Sequence, residues 1–137
     1  MQSTPLQNKS EMLVAAAQLL HNNCLYNAVA HAAYYSCYQI LKYIWLYSME
    51  RTQVELDSNT SQSRMGSHEY LLNEVVKYIS NSKYKNSKKD ARDLRNDIPQ
   101  LKKLRIDADY SDTTFDSSKS RKSMDLSLEL LSILKKY

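Results

Sequence analysis

Apolar and small residues recur at Leu25, Val29, Ala32, Ser36, Ile40 and Ile44, and the stretch from Tyr26 to Leu41 contains no glycine, proline or charge. That spacing is helical, and the lack of charge predicts burial. This stretch is read as the central helix around which the others pack, with its alanines allowing close approach. Four tyrosines, Tyr26, Tyr34, Tyr35 and Tyr38, ride on it. Each is a large apolar body whose hydroxyl needs a partner when buried.

The remaining pattern predicts four more helices. Ser3 or Thr4 followed by Pro5 reads as an N-cap and first helical residue. Helix 1 then runs to about His21 with Met12, Leu13, Ala16, Leu19 and Leu20 inward. Asn22-Asn23 ends it, since asparagine tolerates the left-handed geometry of a helix end. Helix 2 runs from Leu25 to about Met49, and so short a break makes helices 1 and 2 an antiparallel hairpin. Residues 51–66 are polar and predict a mobile loop. Ser67 reads as a partial cap for helix 3, which reaches about Ile79 with His68, Leu71, Leu72, Val75 and Val76 on its apolar side. Ser87 caps helix 4, whose apolar set of Ala91, Leu94, Ile98, Leu101, Leu104 and Ala108 keeps its phase through Pro99. Either Pro99 kinks one helix or Asp97 caps a new collinear one, and the unbroken phase favours a kink. Phe115 tucks under a loop, and helix 5 runs from near Ser117 to Lys136 with Met124, Leu128 and Leu131 buried. The expected fold is all-α, an antiparallel up-and-down bundle of about five helices in one domain spanning residues 1–137.

Composition agrees. The 137 residues hold one glycine and two prolines, too few for the turns that hairpins and barrels need. Cys24 and Cys37 have no metal spacing and read as reduced buried thiols. The N-terminus lacks the basic and apolar run of a signal peptide, and charged or polar residues interrupt every apolar stretch before it could span a membrane. A cytoplasmic protein is expected, with no membrane partner.

The net charge of +4 is unevenly spread: residues 77–105 carry ten Lys/Arg against three Asp. Such a segment suits a polyanion, but no aromatic stripe accompanies it, so a solvated helix surface is the plainer reading. Three histidines show no metal-ligand spacing. His21 ends helix 1, where the dipole favours a protonated ring. His31 reads as a hydrogen-bonded core residue, and His68 opens helix 3. One glycine cannot build a phosphate loop, and neither metal nor cofactor is expected. The densest chemistry is Leu101–Tyr110. Arg105 and Asp109 form an i,i+4 pair with Tyr110 beside them, which suits either a phosphate contact or a network that fixes the helix end.

Three pieces together resemble the HEPN superfamily. The run Tyr26-Asn27-Ala28-Val29-Ala30-His31-Ala32-Ala33-Tyr34-Tyr35-Ser36-Cys37-Tyr38 is similar to its second helix, Gly66-Ser67-His68 to the opening of its third, and Leu104-Arg105-Ile106-Asp107-Ala108-Asp109-Tyr110 to the L-R-x-x-A-D-Y ending of one branch. The resemblance implies a bundle of four to five helices, usually a homodimer. Such proteins are often encoded beside a minimal nucleotidyltransferase in toxin–antitoxin or defence pairs. Its toxic members are metal-independent ribonucleases with an R-x4-6-H motif, in which Arg holds phosphate and His moves protons. Counting from Arg105, the histidine positions hold Tyr110, Ser111 and Asp112, so the motif is incomplete.

The sequence therefore leads to a non-catalytic or weakly active HEPN module that binds RNA, a nucleotide or a nucleotidyltransferase partner. Arg105, Asp109, Tyr110, Tyr34 and Tyr35 are the expected ligand-binding residues. Two alternatives stand. One is a ribonuclease in which His68 or His31 serves with Arg105. The other is a purely structural interaction module.

Overall fold

The computed structural model describes residues 3–137. Helices α1 (Pro5–Asn22), α2 (Tyr26–Tyr43), α3 (Gln53–Ser63), α4 (Ser67–Ser80), α5 (Ser87–Tyr110) and α6 (Ser117–Leu134) make an all-α bundle, with no strand among the described residues. The uncharged stretch is its axis: α2 packs against α1, α6, α5 and α4. Val29, Ala30, Ala33, Cys37 and Ile44 on this axis are fully or almost fully removed from solvent. No helix among the described residues is long and apolar enough to cross a membrane.

Local chemistry explains the ends. Thr4 caps α1 through a reciprocal pair: its hydroxyl accepts the Gln7 N–H at 3.2 Å, and the Gln7 side chain accepts the Thr4 N–H at 2.9 Å. At the other end Asn23 does not take the left-handed conformation. Its side-chain amide donates to the Leu19 carbonyl at 2.8 Å, and Cys24 turns the chain instead with φ 62°. Cys24 is exposed rather than buried, whereas Cys37 lies in the core with its thiol pushed up to about 12 by burial. The helix cap at Ser67 is Gly66, and that at Ser87 is Asn86; neither supplies a side-chain cap.

Beyond Tyr43 the helix widens into a π-helical turn, Ile44–Ser48. It buries Trp45, whose indole N–H donates to the Thr52 carbonyl at 2.8 Å. Residues 51–66, expected as a loop, contain the helix α3. Thr52 caps it by accepting the Glu55 N–H, and Arg51–Glu55 and Gln53–Asp57 link its first turns. Only Leu56 is buried, so the helix carries almost no apolar periodicity to read. Left-handed residues bracket it, Glu50 at φ 55° and Arg64 at φ 63°.

One helix, α5, runs through Pro99 without a break, and Asp97 caps nothing. Its N-terminal part is tied to the chain end: the buried Asp90 carboxylate accepts from the Tyr137 hydroxyl at 2.6 Å and from Lys136 at 2.7 Å. The serines of α6 explain its close approach to α1 and α2, for Ser120, Ser123 and Ser127 are buried and small. Ser123 and Ser127 satisfy their hydroxyls by donating to carbonyls of their own helix. Phe115 is buried under the loop before α6. Met12, Leu19 and Leu128, expected inward, are instead 71%, 65% and 52% exposed, because α1 and α6 bury Ala17 and Leu131 against α2 and leave their flanks to solvent. Leu25, at the head of the predicted stripe, is 56% exposed.

Candidate functional site

Three helices bring the candidate residues together. Tyr34, Tyr35 and Tyr38 of α2 project toward the first turn of α4, where His68 lies half-buried. Its ring faces Tyr38 at 4.3 Å and Tyr34 at 5.6 Å, and Tyr35 meets it edge-on at 5.8 Å. The Tyr34 hydroxyl and His68 Nδ1 are hydrogen-bonded at 2.8 Å. This bond satisfies a hydroxyl on a residue only 2% exposed. It also fixes the imidazole's orientation and leaves Nε2 as the nitrogen available to a ligand.

From α5, Arg105 completes the cluster. Its guanidinium carbon lies 5.4 Å from the Tyr35 ring centre and 5.8 Å from that of Tyr34, a cation–π arrangement. Asp109 Oδ2 is 3.5 Å from Arg105 Nε, too poorly aligned for a hydrogen bond, and that buried Nε has no other partner. An unpaired buried guanidinium N–H costs free energy until an acceptor reaches it.

A cleft of about 320 Å³ opens beside this cluster. Tyr34, Leu41 and Ile98 are among its apolar walls, and His68, Arg95 and Lys102 bring basic groups to it. Arg95, Pro99, Lys102 and Arg105 succeed one another at helical spacing along α5, and neither Arg95 nor Lys102 has a carboxylate partner among the described residues. Glu69 is the cleft's acidic residue. The first turn of α4, which carries His68, has no side-chain cap, which leaves the positive end of the helix dipole there without one.

These surroundings set the protonation states. Burial, then the charges of Lys102 and Arg105, hold the His68 imidazole below its usual value, so it is neutral at pH 7. Burial raises the Tyr34 and Tyr38 phenols, which stay protonated. The site thus offers fixed cations, one neutral imidazole and an aromatic wall. Chemically it can hold a phosphate and can accept or return one proton at His68.

Of the expected residues, Tyr34, Tyr35, Arg105 and Asp109 converge, with His68 among them. Tyr110 does not: it is 75% exposed and lines a different groove. His31 is exposed, not a core residue, and its ring rests on Tyr35 at 4.7 Å. His21 lies apart from the cluster, with Nδ1 bonded to the Ser120 hydroxyl at 2.8 Å and Nε2 facing Arg121 at 3.2 Å. Arg95 and Lys102 escaped the sequence reading. Their signal was present as the 95–99–102–105 spacing, a basic stripe on the helix face beside the apolar one. No family model matches the chain, and no curated protein or solved structure matches it.

Proposed function

We propose that this chain is a HEPN-like helical module that binds the phosphate of RNA or of a nucleotide in the cleft between α4 and α5. The observation that carries this reading is the gathering of Arg95, Lys102 and His68 around one opening, with Arg105 next to it against the rings of Tyr34 and Tyr35. A phosphate in the cleft matches several of these donors at once. The sequence resemblance adds the setting: a two-component toxin–antitoxin or defence pair, with a minimal nucleotidyltransferase as partner and a second copy of the chain as dimer mate.

Adenosine monophosphate binding, followed by NMR shifts of the His68 ring, tests the site. Lys102→Ala and Arg105→Ala are each expected to weaken binding by roughly tenfold, the worth of a charged hydrogen bond. Affinities equal to wild type in both variants overturn the reading. A reading frame next to this one that encodes a minimal nucleotidyltransferase would support the two-component setting, and failure of the two proteins to co-purify would count against it.

A second reading has its own support. His68 is neutral, oriented by Tyr34, and shares the tyrosine wall with Arg105. A metal-independent ribonuclease needs such a proton acceptor beside a phosphate-holding arginine. RNA cleavage by wild type, His68→Ala and Arg105→Ala decides it: equal rates remove both residues from catalysis and leave a binding module.

A further inference from the structure

On the other flank of α5 lies an open groove of about 720 Å³ between α5 and α6. Its walls carry Lys103 and Gln100 from α5 and Lys122 from α6, all exposed, and neither lysine has a carboxylate partner among the described residues. Asp107, which would otherwise neutralise the groove, is paired with Lys119 at 3.2 Å. Ile106, 43% exposed, and Tyr110, 75% exposed, provide the apolar surface.

Tyr110 is unlike the other strongly exposed tyrosines. Tyr47 stacks on Tyr43 at 5.0 Å, and Tyr84 meets Tyr137 edge-on at 5.1 Å. The Tyr110 ring has no aromatic neighbour among the described residues, and its hydroxyl makes no hydrogen bond there. It ends α5 as a free flat face beside two unpaired ammonium groups. A planar aromatic ring next to unpaired cations is the arrangement that holds a single-stranded nucleic acid: the ring stacks on a base of any identity, and the cations follow the phosphates. An acidic peptide would use the lysines but leaves the ring without a planar partner.

We infer that the α5–α6 groove binds single-stranded nucleic acid, with a base stacked on Tyr110 and flanking phosphates at Lys103 and Lys122. The inference shares its ligand class with the proposed function but not its site. The groove and the His68 cleft lie on neighbouring faces of one helix about 10 Å across, close enough for one strand to cross α5 and occupy both.

The test is fluorescence anisotropy with a labelled oligouridine of about twelve nucleotides, over a range of salt. Adenosine monophosphate binding is measured on the same samples to report on the His68 cleft separately. Tyr110→Ala is expected to weaken oligouridine roughly tenfold, the loss of one stacked base. Lys103→Gln with Lys122→Gln is expected to flatten the slope of log affinity against log salt by about 1.4, since each single-strand phosphate contact contributes about 0.7. Monophosphate binding should stay unchanged in both variants. All substituted positions are exposed, and circular dichroism confirms folding. Oligouridine binding that matches wild type in both variants, or that is abolished only by Lys102→Ala, overturns the groove. Loss in the groove variants together with no monophosphate binding keeps the groove and removes the cleft. Tighter binding of polyglutamate than of oligouridine, lost in the lysine variant but not in Tyr110→Ala, assigns the groove to acidic protein and overturns the inference.

Discussion

Replacing Asp90 with asparagine tests how α5, which carries both basic surfaces, is held in place. The carboxylate side chain is 6% exposed and accepts from the Tyr137 hydroxyl at 2.6 Å and from Lys136 at 2.7 Å. Burial alone would raise this carboxyl, but the bonds from Lys136 and Tyr137 outweigh burial and hold it below its usual value. Asparagine keeps the shape and can still accept one bond, so the change weakens rather than empties the contact. Turning the charged bond with Tyr137 into a neutral one costs about 1 kcal/mol. The pair with Lys136, whose side chain is 45% exposed, adds about 0–1 kcal/mol after solvent screening. Asp90→Asn should therefore lose about 1–2 kcal/mol at pH 7, or roughly 3–8 °C in Tm for a chain of this size.

The pH dependence gives the sharper check. A carboxyl with a depressed folded pKa contributes stability that is fully present above its unfolded value near 3.8 and is lost as pH falls through the folded value. Urea unfolding of both proteins should show the full difference at pH 7, with the two curves converging below about pH 4. A gap of the same size at pH 7 and at about pH 2.5, or no gap at pH 7, refutes the reasoning.

The His68 ring should titrate below its ordinary value of 6.5 in proton NMR, and Lys102→Gln should move it up by removing a facing charge; a wild-type value at or above 6.5 contradicts the burial described. Because that folded value is depressed, His68 favours the folded state fully above about pH 6.5 and withdraws that contribution on acidification. Pro99→Ala gives the Arg95 carbonyl an N–H partner in a helix that is continuous already. It should stabilise the protein by about 1–2 kcal/mol, part of the roughly 3 kcal/mol that proline costs inside a helix, with urea denaturation as the measurement; a loss of stability would mean that the packing around the cleft depends on the proline's shape.

Five of the six helices were legible because each carries an apolar stripe at helical spacing, as in Ala91, Leu94, Ile98 and Leu101 of α5. The sixth, α3, is held by a cap and local polar pairs around one buried leucine, and composition reads such a segment as a loop. Phase was less legible than existence. Met12, Leu19 and Leu128 fit an apolar stripe but fall on its flank, and only packing decides how wide the buried face is. In the site, Tyr34, Tyr35 and Arg105 could be singled out by type, but not which of their atoms would meet. The contact with Arg105 is made by the rings, and the Tyr34 hydroxyl goes to His68. Tyr110 follows Arg105 by five residues, about 140° round the helix, so grouping them by closeness in sequence put two surfaces into one. The same oversight hid the aromatic neighbour of the basic segment, because Lys122 reaches the groove from a different helix.

The helix α3 has a consequence for how this molecule tolerates change. It rests on α4 through a single buried leucine and is joined at each end by a residue with left-handed backbone geometry. It contributes one buried side chain, Leu56, to the main core, whereas α2, α4, α5 and α6 each contribute several. Free energy is therefore distributed so that this segment unfolds first and alone, as a local opening that leaves the bundle standing. That makes residues 50–66 the natural place for a protease nick, a length change or an inserted sequence, and the part of the chain where selection for stability is weakest.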